Sequence, residues 1–385
     1  MNILLISRFI NSTTGGVPYV NSLIAKFLAE TGNNLYVISN KIQEIEYTPQ
    51  KNMKIIYLQT YTTKDVPKWK TKDKLHYIFS GVIKGYSIIK NEKIDLIISH
   101  TNQPSIVGWI LSSLTSLPHI VTIHGTDSLN PEYLKEWAKQ KGNSKWKSKI
   151  GYQITKAVFK LNYTAIHAVS ETVKDDLIRI GVTKPIFVIH NGIPLEPPLN
   201  REIKQNQFII ISRLEFFKNI QVVINAIKIL KESYPNLKLI ILGDGSYRSN
   251  LEKLTDELDL KNNVLFKGYI SGIEKKIFLS ESQALVFPSL SEGFGMVILE
   301  AYMQKKPVLI SNIRPLTDIV ENEKTGLIVA QNNEKFWADT IEKIIKEPQK
   351  TSNMGHYCRE FLEQNYSLEL ISEKFLKMCK EVIMK

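Results

Sequence analysis

The chain has 385 residues, 43% hydrophobic and 23% charged, too many for one ordinary core, so two domains are expected and a low-complexity polymer is excluded. The net charge of +12 is unevenly shared: residues 1–200 hold 24 Lys and Arg against 14 Asp and Glu, and residues 201–385 hold 26 against 24. Nucleic acid, an anionic membrane or an acidic acceptor would suit that excess, and a solvated lysine-rich surface accounts for it equally.

In chain order, the opening MNILLIS lacks a basic lead and a small-residue cleavage site, so it reads as a strand and not as a signal peptide. NLYVIS (34–39), KIIYL (54–58), DLIISH (95–100), HIVTIH (119–124), TAIHAVS (164–170) and PIFVIH (185–190) continue the series. Near-continuous apolarity over a few residues is what parallel strands need when both faces of their sheet are covered. Helical patterns lie between them, as in VPYVNSLIAKFLAETG (17–32), which stops at Gly32. The apolar window 106–123 is interrupted by Ser, Thr, Pro and His, which makes it a poor membrane span. Residues 193–207 carry three prolines and few apolar side chains and read as a linker between an N-terminal domain, 1–192, and a second domain, 208–366. The second domain repeats the alternation with FIIIS (208–212), LKLIILG (237–243), NVLFKG (263–268), ALVFPS (284–289), PVLIS (307–311) and GLIV (326–329). A helix over 367–385 closes the chain and is expected to pack back on the first domain. Cys358 and Cys379 have no metal-ligand spacing, which suits a reduced, cytoplasmic protein. The fold class is α/β, with two Rossmann-like, doubly wound domains facing each other across a cleft.

In such sheets ligands sit where strands end and helices begin, which directs attention to the strand-end loops of the second half. Arg213 follows one strand and Lys218 opens the next helix, a pair of cations suited to a diphosphate and also readable as plain surface charge. Gly243 and Gly245 lie on the following turn, where a backbone can come close to a ligand. The turn GDGSYR lacks the third glycine of a dinucleotide fingerprint. The loop around Gly268 could hold a planar base. In SLSEGFGMVILEA (289–301), the amides of Gly293, Phe294 and Gly295 precede a helix. Glu292 and Glu300 are carboxylates able to accept hydrogen bonds from sugar or ribose hydroxyls. The alternative is a capped helix with one buried, satisfied carboxylate.

The spacing of Glu292 and Glu300, with PSLSEGFG before and EAYMQKKPVLIS and TGLIV after, resembles the GT-B glycosyltransferases of family 4 (glycosyl transferases group 1). The resemblance extends over TTGGVPYVNSLIAKFLAETG, VTIHGTD, VIHNGIPLE, SRLEFFKN and LGDGSYR and covers nearly the whole chain. It implies a retaining hexosyltransferase using a nucleotide-diphosphate sugar, a UDP- or GDP-sugar, with no other cofactor. The acceptor would be a hydroxyl of a glycan or lipid-linked glycan in cell-surface polysaccharide or glycolipid synthesis. It assigns Glu300 to the ribose, Glu292 to donor-sugar hydroxyls and Gly293 to Gly295 to sugar and phosphate. Arg213 and Lys218 take the diphosphate, and Gly15 and Gly16 the donor phosphate and acceptor side. His124 is placed near the transferred sugar, whereas His100 and His190 read as satisfied core groups. Ser212 and Glu215–Phe216–Phe217 replace the commoner glycine-containing versions of the Arg–Lys loop. No Asp-x-Asp triplet occurs in the sequence, so no metal is expected and the cations must neutralise the leaving group. The alternatives are a nucleotide-sugar epimerase or phosphorylase on the same fold and, more remotely, a non-catalytic nucleic-acid-binding protein.

Lysines interleaved with Trp69, Trp137 and Trp146 at 68–74 and 135–149 suit peripheral contact with the inner face of an anionic membrane. A solvated loop with incidental aromatics suits them as well.

Overall fold

A computed structural model describes residues 1–10, 16–43, 47–62, 71–101, 103–129, 145–329 and 333–384. The chain divides into two compact units, residues 1–192 with 368–385, and residues 193–367.

The first unit is a seven-stranded parallel sheet in the order β3-β2-β1-β4-β5-β6-β7. Its strands are β1 (Asn2–Phe9), β2 (Asn34–Ile42), β3 (Met53–Tyr61), β4 (Leu96–His100), β5 (His119–Ile123), β6 (Ala165–Ala168) and β7 (Ile186–Val188). Every residue of β4, β5 and β6 is buried, which is why those segments read as unbroken apolar runs and not as alternating ones. The helices Thr71–Asn91 and Gln103–Thr115 supply Tyr77, Val107 and Leu111 to a core that also takes Leu4, Ile6, Ile38 and Ile97 from the sheet. The last helix, Leu368–Ile383, belongs to this unit, where it meets the helix Val17–Glu30 and sets Phe375 edge-on to His167 with ring centres 5.1 Å apart.

The second unit is a six-stranded parallel sheet in the order β10-β9-β8-β11-β12-β13. The strands are β8 (Gln207–Ile211), β9 (Lys238–Leu242), β10 (Val264–Gly268), β11 (Ala284–Phe287), β12 (Val308–Ser311) and β13 (Gly326–Val329). In both sheets the winding reverses direction once, between β1 and β4 and between β8 and β11, and crevices form at such switch points.

Residues 193–207, expected as a linker because of their prolines, are strapped to the second unit. The Ile193 amide donates to Tyr366 O at 3.1 Å, the Leu199 amide to Gln304 Oε1 at 2.9 Å, and Lys204 pairs with Glu281 at 2.5 Å. Prolines remove backbone donors, and the segment uses its remaining amides on backbone and side-chain acceptors of the domain it borders.

Candidate active site

The strand ends of the second unit hold three of the sequence-selected groups together. After β8 the chain makes a short 3₁₀ turn, Phe216–Lys218, and enters the helix Ile220–Leu230 through Asn219, in the left-handed region at φ 54°. That turn presents Lys218, only 7% exposed. Its ammonium is hydrogen-bonded to Glu292 Oε1, which also accepts from the Ser289 hydroxyl at 2.8 Å. Glu292 arrives from β11, the neighbour of β8 in the sheet, so the ion pair spans the switch point. The Leu290 amide donates to Phe217 O at 2.8 Å and ties the two loops by their backbones. Arg213 is exposed, with its guanidinium over the Phe217 ring at 6.0 Å, and the Lys218 ammonium lies 4.9 Å from the centre of the same ring. One aromatic ring thus seats both cations.

Gly243 and Gly245 border the same loop and lie tight against its backbone. A Cβ on Gly243 would stand 1.8 Å from Ser212 O, and one on Gly245 would stand 2.3 Å from Leu214 O. The Leu214 amide donates to Asp244 O at 2.9 Å and the Tyr247 amide to Leu214 O at 2.8 Å. What comes close to these glycines is therefore the backbone of the Arg213 loop, which they hold in place. Gly268 ends β10, and its carbonyl accepts from the Gly243 amide at 2.7 Å.

Gly295 caps the helix Met296–Met303 with φ 106° and no side-chain cap, so the helix begins with backbone donors facing the loop that carries Glu292. Gly293 and Gly295 bracket Phe294, which is buried with its ring 6.2 Å from that of Tyr366. Glu300 lies within this helix. Both its oxygens accept from Lys275 Nζ, at 2.8 and 2.9 Å, and the two side chains are 19% and 20% exposed. The lysine answers the question of how a carboxylate sits in an apolar helix: it is paired. Sequence reasoning missed Lys275 because the run Glu274–Lys275–Lys276 on a helix reads as solvated charge, and its partner lies 25 residues on.

The remaining selected residues belong to the first unit. Gly16 caps the helix Val17–Glu30 at φ 76°, and Gly15 lies outside the described residues. His124 follows β5, with its Nε2 2.9 Å from Nδ1 of His100 at the end of β4. Burial holds His100 well below the usual histidine range, with His124 and His167 adding to the effect, and burial followed by His167 lowers His124 in the same way. His100 was expected to be a satisfied core group; instead it contacts His124 directly while its Nε2 is buried without a hydrogen-bond partner. The signal available was that DLIISH and HIVTIH both end in histidine and form adjacent strands. His190 has partners of its own. Trp69 and Trp137 lie outside the described residues.

Residues 195–361 match the family described as Glycosyl transferases group 1, and residues 14–197 match Glycosyltransferase Family 4. An uncharacterized glycosyltransferase of Methanocaldococcus jannaschii is 30% identical over 298 residues, 77% of this chain and 78% of that protein. The O-antigen chain mannosyltransferase of Salmonella typhimurium is 29% identical over 241 residues, 63% of this chain and 65% of that protein. Among solved structures, the Anabaena protein HepE in complex with UDP-glucose superposes with a TM-score of 0.77 at 18% identity, covering 99% of this chain and 100% of HepE. The two parallel-sheet units are those of a GT-B fold, and the chain belongs to the group 1 glycosyltransferases of family 4.

Proposed function

We propose that this glycosyltransferase moves a hexose-type sugar from a UDP- or GDP-sugar to a hydroxyl of a glycan or lipid-linked acceptor, with retention and without a metal. The observation that carries the reading is the Lys218–Glu292 pair at the switch point of the second sheet, beside the uncapped helix at Gly295 and the Lys275–Glu300 pair. An ammonium has three N–H donors, so Lys218 can hold Glu292 with one and a donor phosphate with another. Glu292 keeps lone pairs for sugar hydroxyls, and Glu300 keeps lone pairs for a ribose diol while Lys275 fixes its orientation. As the bond from the anomeric carbon to the diphosphate breaks, the new bond to the acceptor oxygen forms on the same face. The acceptor proton passes to the departing phosphate oxygen. Charge builds on that phosphate, where Lys218, Arg213 and the helix amides supply fixed counter-charge. The mannosyltransferase relative supports a polysaccharide acceptor, and the UDP-glucose complex of HepE supports a nucleotide-sugar donor. Transfer should persist in EDTA, and NMR of the product should show the donor's anomeric configuration kept. Complete loss in EDTA restored by Mg²⁺, or an inverted product, would overturn the respective part of the reading.

Contact with an anionic bilayer is part of the same proposal, and the helix Thr71–Asn91 supports it. Leu75, Phe79, Ile83 and Tyr86 recur at helical spacing and are 62%, 69%, 51% and 38% exposed. Lys72, Lys74, Lys84 and Lys90 share the helix with one acidic residue, Asp73. Like charge disfavours a second copy on this face, whereas anionic headgroups complement it at about 1 kcal/mol per lysine. Among the described residues no helix is long and apolar enough to cross a membrane. Co-sedimentation with phosphatidylglycerol vesicles should rise with anionic lipid and fall with salt. Leu75→Ser with Phe79→Ser and Ile83→Ser should release the protein. Indifference of the wild type to such vesicles at low salt would remove the membrane from the account.

A further inference from the structure

His100 ends β4 and His124 directly follows the neighbouring β5, and their facing nitrogens, Nδ1 of His100 and Nε2 of His124, are 2.9 Å apart. Both rings are held neutral by burial, so one must donate and the other accept. The far nitrogen of His100 decides which. That Nε2 is buried without a partner, and a buried N–H left orphaned is rarer than an under-satisfied acceptor. The proton of His100 therefore sits on Nδ1 and is donated to His124, whose own proton must then sit on Nδ1. Nδ1 of His124 has no hydrogen-bond partner among the described residues, and His124 is half-buried, which leaves that nitrogen free to meet a ligand. His167 does not compete: its Nε2 donates to Ile189 O at 2.8 Å and its Nδ1 accepts from Thr122 Oγ1 at 3.2 Å.

We propose that His100 is a positioning residue that locks His124 in its Nδ1–H form, so that His124 offers a neutral donor to an oxygen of the transferred sugar. The consequence for transfer rests on the contact of His124 with that sugar that the family resemblance implies, while the tautomer does not. A donor at this position suits a sugar oxygen with free lone pairs, and the other tautomer would present a lone pair to it.

The test is ¹⁵N NMR of the full chain labelled in histidine, read for the tautomer of His124, together with steady-state kinetics. Wild type should show His124 protonated at Nδ1. His100→Leu should lose that bias and lower kcat by about 10-fold or more, the order seen when the partner that orients a metal-bound histidine is removed. His100→Asn places an amide donor where Nδ1 stood and should recover most of both, which guards against a leucine variant that folds poorly. His124 protonated at Nε2 in wild type, or unchanged in a folded His100→Leu, overturns the proposal. If the tautomer behaves as stated but His124→Ala transfers at the wild-type rate, the lock stands and the sugar contact is what fails.

Discussion

Lys218→Ala should lower kcat by about 10²-fold or more and also lower the melting temperature. The rate effect follows from the proposed role: a fixed cation beside a departing diphosphate matters most when charge develops there. The stability effect follows from geometry. Lys218 and Glu292 are 9% and 13% exposed at their side chains, and removing the lysine leaves Glu292 with the Ser289 hydroxyl. Breaking a pair that is largely buried costs on the order of 3 kcal/mol. Arg213 separates the two effects, because it is exposed and makes no ion pair among the described residues. Arg213→Ala should slow transfer and leave the melting temperature nearly unchanged. Steady-state kinetics beside thermal melts check both, and full turnover in a folded Lys218→Ala would remove the clamp from the account.

Acid should weaken the first unit. His100, His119 and His167 are each no more than 2% exposed, and burial pushes His119 down to about 3 and His167 to about 4, with His100 well below its ordinary value. In the unfolded chain each titrates near 6.5. Between those values the unfolded chain binds more protons than the folded one, so stability falls as the pH drops. The contribution is complete above about pH 6.5 and is lost as the pH falls toward the folded values. Each histidine contributes a slope of about 1.4 kcal/mol per pH unit, at most about 2 kcal/mol between pH 7 and pH 5. Calorimetric melts across that range should show the slope, and His119→Gln, keeping a hydrogen-bonding amide toward Ser99, should flatten it by one histidine's share. An unchanged slope in that variant would show that His119 is protonated without cost.

The alternation of strands was legible because the sheets are buried on both faces: IIIS after Phe208 and LVFPS after Ala284 leave no polar phase to confuse with a surface strand. Residues at strand ends were legible for the same reason, since knowing where β8 and β11 stop points to Lys218 and Glu292. What joins them was not. The pairing depends on β8 and β11 being neighbours in space although 74 residues separate the two side chains. The glycines at 243 and 245 announced a close approach, but which backbone approaches is fixed by the pairing of β8 with β9. Lys275 and His100 were hidden in another way. Each looks ordinary in its own segment, a charged helix or a strand terminus, and acquires meaning only from a partner on another element.

Calorimetric titration of UDP, GDP and ADP into the full chain tests most directly whether the strand ends of the second unit form a nucleotide-sugar site. UDP or GDP should bind wild type, and Glu300→Ala should weaken binding about 10-fold or more by removing an ionised acceptor for the ribose hydroxyls while the melting transition stays cooperative. Binding of the same nucleotide with equal affinity to wild type and to Glu300→Ala, or no binding of any of the three to wild type, would contradict it.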